Sequence, residues 1–182
     1  GRMKTLYRHG LGVRYGRRMQ TIAGIHYNLS FPDSFWQAWQ EKPGNTQSLA
    51  DFRSEKYFGL VRNFQRRSWL LLYLLGASPA VCGSFLRGRE HKLQECGRGT
   101  LYLPNATSLR MSSLGYQNSV QSDLKVSYNG LDEYVRDLSH AIHTPYAPFE
   151  QIGLRDVNGD YQQINTNILQ IENEYYGLIR PK

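Results

Sequence analysis

The chain has 182 residues, 40% hydrophobic and 13% aromatic, enough to bury a core, which excludes a disordered chain. Its formal net charge of +7 favours anionic partners (nucleic acid, nucleotides or carboxylate metabolites) without choosing among them. The two cysteines, Cys82 and Cys96, are too few for a disulfide scaffold and match no zinc spacing, so reduced thiols in a cytoplasmic setting are expected.

Gly1 and Arg2 precede the first methionine and no leader pattern follows, so both ends read as cuts within a longer protein. Residues 4–17 are rich in Gly and Arg, but the spacing of Gly10, Gly12 and Gly16 is not a phosphate-loop or dinucleotide fingerprint. An irregular segment is expected there. From Met19 to Ser30 the chain alternates with period two. Met19, Thr21, Ala23, Ile25, Tyr27 and Leu29 share one mostly apolar face, while Gln20, Ile22, Gly24, His26, Asn28 and Ser30 share the other. This predicts a strand with one face suited to a small polar ligand, ended by Phe31-Pro32.

Trp36 and Trp39 lead into a loop at Lys42-Pro43-Gly44-Asn45. From Ser48 to Leu75 the apolar residues Phe52, Tyr57, Val61, Phe64, Trp69, Leu72 and Leu75 recur at three- and four-residue steps, which predicts a helix stopped by Gly76 and Pro79. The run Trp69–Ala77 falls far short of the ~20 residues that span a bilayer and reads as a buried helix end. Residues 84–100 read as a polar loop and 101–116 as an ordered irregular segment. A short strand is expected over 122–128, then a helix over Leu131–His143 capped by Asn129. Pro145 and Pro148 break the chain, Val157-Asn158-Gly159-Asp160 signals a hairpin turn, and Ile164–Tyr176 alternates like a strand. The expectation is α+β, with a mainly antiparallel sheet near both ends and helices between.

Several groups could carry chemistry. His26 is a good donor for a divalent metal, yet its strand offers no carboxylate, so a structural histidine stays open. Glu172 and Glu174, two residues apart, could serve a metal, acid–base work or only solvent. Arg8, Arg14, Arg17, Arg18 and Arg110 carry the planar fork that suits carboxylate or phosphate, with surface ion pairs as the plainer reading. Aromatic residues near arginine also fit a basic single-stranded nucleic-acid-binding module, although no RNA-binding signature is present.

Four stretches are long and specific: Tyr7-Arg8 with GLGVRYGRRMQTIAGIHYN, then YLLGASPAVC, YLPNATSLRMSSLGY and INTNILQIENEYYGLIRPK. Together they closely resemble the proteobacterial-type glutamate–cysteine ligase family, with residues 1–182 matching the central part of the catalytic domain. The resemblance implies ATP-dependent ligation of the glutamate γ-carboxylate to the cysteine amine through an acyl phosphate, the first step of glutathione synthesis. It implies ATP and Mg2+ or Mn2+ as cofactors, glutamate and cysteine as the partners, and neither nucleic acid nor membrane. The implied fold is glutamine synthetase-like, a curved antiparallel sheet forming a funnel, here a partial domain.

By the same resemblance, His26 matches a metal ligand and Arg110 an arginine on substrate or phosphoryl oxygens. Gln20, Ile22 and Asn28 lie on the glutamate and metal side. Tyr7, Arg8, Leu11, Tyr116 and Tyr176 surround the cysteine pocket, with Asn173 near it. On a straight strand Asn173 and Tyr176 point to opposite faces, so the chain must bend between them for both to reach the pocket. The family's acidic metal ligands fall outside residues 1–182, implying that this piece alone lacks ligase activity.

Overall fold

A computed structural model describes residues 1–21, 26–41, 44–76, 78–88, 90–109, 112, 114 and 119–181. Helices α1 (Arg2–Tyr15), α2 (Asp33–Gln40) and α3 (Leu49–Leu75) come first. Strands β1 (Ala80–Cys82), β2 (Gln94–Glu95) and β3 (Thr100–Tyr102) follow, then helices α4 (Ser119–Ser122), α5 (Leu131–His143) and α6 (Ala147–Ile152). The strands form a small antiparallel sheet in the order β1-β3-β2, with Cys82 opposite Thr100. The class is α+β, but the described sheet lies mid-chain, not near the ends.

The Gly- and Arg-rich start is a helix, not an irregular segment. Gly10 is buried in α1 where Gln170 crosses it, and a Cβ there would lie 2.1 Å from Gln170 Oε1. A residue that weakens a helix in isolation here permits close packing, and tertiary contact outweighs propensity. The strand expected over Met19–Ser30 is not found among the described residues. Arg17–Thr21 forms a 3-10 turn, residues 26–32 pair with no strand, and residues 22–25 lie outside the description.

Helix α3 matches its sequence pattern. The Ser48 hydroxyl accepts from the Asp51 N–H, and Gly76 ends the helix, its N–H donating to the Leu72 carbonyl. Its first half buries Phe52, Phe58 and Val61. Helix α2 packs on that half through a ring cluster in which Trp36 meets Phe31, Phe35, Trp39 and Tyr57 at centroid distances of 4.7–5.8 Å. The run at the far end of α3 is not buried within this chain. Trp69, Leu70, Leu71, Tyr73, Leu74 and Leu75 are all exposed.

The core joins Phe58 of α3 to Tyr134, Leu138 and Ala141 of α5 and to Leu169 of the last segment. Helix α5 matches its predicted span, but Gly130 stands at its N-cap and the Asn129 amide donates instead to Glu133 Oε2 at 3.1 Å. No strand forms over 122–128, where α4 ends and an irregular connection begins. Pro148 sits in the first turn of α6, where a missing N–H costs little. The turn at 157–160 is present, with Gly159 at φ 85°, but only a single bridge, Arg155 to Tyr161, flanks it.

The segment from Ile164 to Tyr176 is not a strand. Side chains take the place of a ladder. Gln170 Oε1 accepts from the Ile164 N–H at 3.1 Å, Gln121 Oε1 accepts from the Tyr176 N–H at 2.9 Å, and a 3-10 turn occupies Glu172–Glu174. Alternation in sequence cannot distinguish a strand from an extended coil held by buried amides.

Two glycine variants separate propensity from packing. Gly10→Ala gains about 1 kcal/mol of helix propensity but loses about 1–3 to overpacking against Gln170, so a net loss is expected. Gly59→Ala in α3 meets nothing closer than Arg62 Nη2 at 3.7 Å and should gain up to about 1 kcal/mol. Urea unfolding midpoints should move in opposite directions.

Candidate functional site

The sequence candidates fall into two groups in space. The first gathers where α1 meets the last segment. Tyr7 and Leu11 lie one turn apart on α1, both half-buried. Gln170 Nε2 donates to the Tyr7 carbonyl at 3.5 Å. Burial, helped by the negative charge of Glu174, pushes the Tyr7 phenol well above its usual range, so Tyr7 is a neutral hydrogen-bonding group. Asn173 is exposed in the 3-10 turn; its carbonyl and Oδ1 accept from Arg180 at 3.2 and 3.0 Å. Tyr176 is half-buried two residues beyond that turn. The bend that a shared role for Asn173 and Tyr176 demands is therefore present.

Behind these residues lies a fully buried ion pair. The Arg14 and Glu174 side chains are 0% and 1% exposed, with Nη1 and Oε1 3.1 Å apart. Every polar edge is used. Arg14 Nε donates to Gln163 Oε1 at 2.9 Å and Nη2 to the Asn165 carbonyl at 2.6 Å, while the guanidinium lies 4.1 Å over the Phe149 ring. Glu174 Oε1 also accepts from the Tyr15 hydroxyl at 2.5 Å, and Oε2 from the Gln170 N–H at 2.6 Å. Glu174 is thus not available to a metal or as an acid–base group, and Arg14 is not an anion site. Glu172 is exposed and accepts from Asn173 Nδ2. The buried partners Gln121, Gln163 and Gln170 gave no sign in the sequence, because a glutamine's burial depends on which carbonyls the fold brings to it.

The other face of α1 carries a cleft of about 350 Å3 lined by Thr5, Arg8, His9, Gly12 and Arg17. Its cationic lining suits a carboxylate or phosphate. Arg18 is turned away from it, with Nη1 donating to the Ser84 carbonyl.

The second group is the stretch around His26. His26 and Asn28 are exposed, and Gln20 belongs to the 3-10 turn of residues 17–21. Ile22, Arg110 and Tyr116 lie outside the described residues. No group of three or more His, Cys, Asp or Glu side chains that could hold a metal occurs among the described residues. His26 is a single donor, so these residues do not by themselves fit a divalent metal. Cys82 and Cys96 are free and exposed, and hydrogen bonds to Ser84 lower the Cys82 thiol pKa. No helix among the described residues is long and apolar enough to cross a membrane.

A clamped α1, a bent last segment and a cleft lined by two arginines stand together in an α+β fold. Comparison with known proteins gives the family. The Glutamate-cysteine ligase family model matches residues 1–182, and the chain belongs to that family. It is 63% identical to the glutamate–cysteine ligase of Alcanivorax borkumensis, across the whole of this chain and 35% of that protein. A crystal structure of glutamate–cysteine ligase from Francisella tularensis in complex with AMP superposes with a TM-score of 0.87 at 41% identity, covering all of this chain and 35% of that one. A bifunctional glutathione synthetase from Pasteurella multocida gives 0.65 at 27% identity, over 94% of this chain and 18% of its own. The chain thus spans about a third of the length of the curated relatives it matches.

Breaking the buried pair tests its role. Arg14→Met should cost about 3–5 kcal/mol by stranding the Glu174 carboxylate, and adding Glu174→Gln should recover part of that loss. Arg53→Ala, in an exposed pair with Asp33, should cost no more than about 1 kcal/mol. Denaturant unfolding of these three variants and the unsubstituted protein would read this contrast.

Proposed function

We propose that residues 1–182 are the central part of the catalytic domain of an ATP-dependent ligase, acting in the cytoplasm, that joins the glutamate γ-carboxylate to the cysteine amine. The observation that carries this reading is the family match over the whole chain, with a ligase structure superposing at 0.87. The ATP assignment is supported by the AMP bound to that neighbour. In this reading the sheet is glutamine synthetase-like and is completed by segments outside residues 1–182. The nucleic-acid alternative has no support, and among the aromatic residues Tyr57 packs in the cluster around Trp36.

The chemistry sets what these residues must do. Phosphorylating a carboxylate brings two anions together, so cationic groups are needed where charge develops. Arg110 takes that role. Gln20, Ile22 and Asn28 hold glutamate, Tyr7, Leu11, Tyr116, Asn173 and Tyr176 form the cysteine pocket, and Arg8 faces the basic cleft on the other side of α1. A neutral, half-buried Tyr7 can donate a hydrogen bond and help to exclude water from the acyl phosphate. His26 would contribute one imidazole to a Mg2+ or Mn2+ set that needs carboxylates from segments other than residues 1–182.

The full-length protein should sustain ADP release over many turnovers only when glutamate and cysteine are both present, and residues 1–182 alone should release none. ADP release without cysteine dependence would overturn the reading. Asn173→Ala should raise KM for cysteine about tenfold with KM for glutamate little changed, the size expected for one lost hydrogen bond to a charged group. His26→Ala should raise the metal concentration needed for half-maximal rate.

A further inference from the structure

Helix α3 changes character at Trp69. Up to Ser68 it is amphipathic, with Phe52, Phe58 and Val61 buried and Gln65, Arg66 and Arg67 exposed. From Trp69 to Leu75 it carries no charged side chain, and its only polar side-chain groups are the Trp69 indole N–H and the Tyr73 phenol. Six of those seven residues are 40–75% exposed, and only Leu72 is half-buried.

The angular spread of these side chains indicates what could cover them. At about 100° per residue, the six exposed side chains sweep an arc of about 240°. A helix resting on one surface needs a stripe of roughly 100°, whereas a helix apolar nearly all round is an interior helix. A two-fold contact with a second copy would cover one face and leave the rest of the arc in water. Seven helical residues rise about 10 Å, a third of a bilayer's hydrocarbon thickness. The chain spans only 35% of the length of its Alcanivorax relative, so in that relative ample polypeptide lies outside the matching region.

We infer that in the full-length protein Trp69–Leu75 is enclosed by a second hydrophobic core, built by segments of the same polypeptide outside residues 1–182. Helix α3 then bridges two cores, its first half in the one described above and its end in the other. This does not rest on the ligase activity, only on the helix's exposed arc and the length of the relatives.

The test uses the full-length protein in a Cys82→Ser/Cys96→Ser background, with Tyr73→Cys or Leu74→Cys added and thiol alkylation followed by peptide mass mapping. Labelling should be slowed at least about tenfold relative to the urea-unfolded chain, at concentrations where the protein is monomeric by sedimentation. Hydroxyl-radical footprinting of the unsubstituted protein at Trp69 and Tyr73 gives the same readout where a variant does not fold. Rates in the native monomer equal to the unfolded chain's would overturn the inference. So would protection that appears only on self-association or only with added phospholipid vesicles.

Discussion

The buried Arg14–Glu174 pair is the interaction on which the rest of the arrangement depends. Removing two charges from water costs several kcal/mol per ion, and only complete pairing offsets it. Here the pairing is complete. Tyr15, Gln163, Asn165 and Gln170 fill the remaining valences, and Phe149 lies against the guanidinium. The pair joins the first helix to the last segment, so α1 cannot leave its place without stranding a charge. Gly10 lets the backbones come close enough for this, because Gln170 occupies the volume a side chain would take.

The same network keeps the last segment irregular. A strand would pair its N–H and carbonyl groups with a neighbouring strand. Here Glu174 accepts from the Gln170 N–H, while Gln121 donates to the Glu174 carbonyl and accepts from the Tyr176 N–H. Once side chains have satisfied these groups, a 3-10 turn can form between Ile171 and Tyr175 at little cost. That turn separates Asn173 from Tyr176 and brings a bent segment toward Tyr7. Buried and accessible residues are thus interleaved: the Arg14, Gln170 and Glu174 side chains face inward, while Tyr7, Leu11 and Asn173 remain partly accessible.

Long, strongly periodic elements were legible in the sequence. Helix α3, with Ser48 before it and Gly76 after it, follows from apolar spacing and end signals, and helix α5 follows from its spacing although Gly130, not Asn129, stands at its N-cap. Three other segments were not. The Gly-rich start reads as irregular because glycine weakens an isolated helix, and only the contact with Gln170 gives Gly10 a purpose. The alternation of Met19–Ser30 and Ile164–Tyr176 reads as strand because period two describes any extended chain, and a strand also needs a partner. Of the candidate charged groups, Arg8 and Arg17 do line an open cleft, whereas Arg14 and Glu174 neutralise each other. Sequence spacing carries no information on that choice, since the partners are 160 residues apart.

The sequence by itself determined the family, through four long stretches whose order and residue types are specific, and the main helices, whose apolar periodicity is local. Only the tertiary structure decided which charges are internal, why Gly10 and the glutamines are where they are, and that the end of α3 is uncovered within this chain. The reason is physical. Periodicity and capping act over a few residues, but burial of a charge or an apolar helix end depends on what distant segments bring to it.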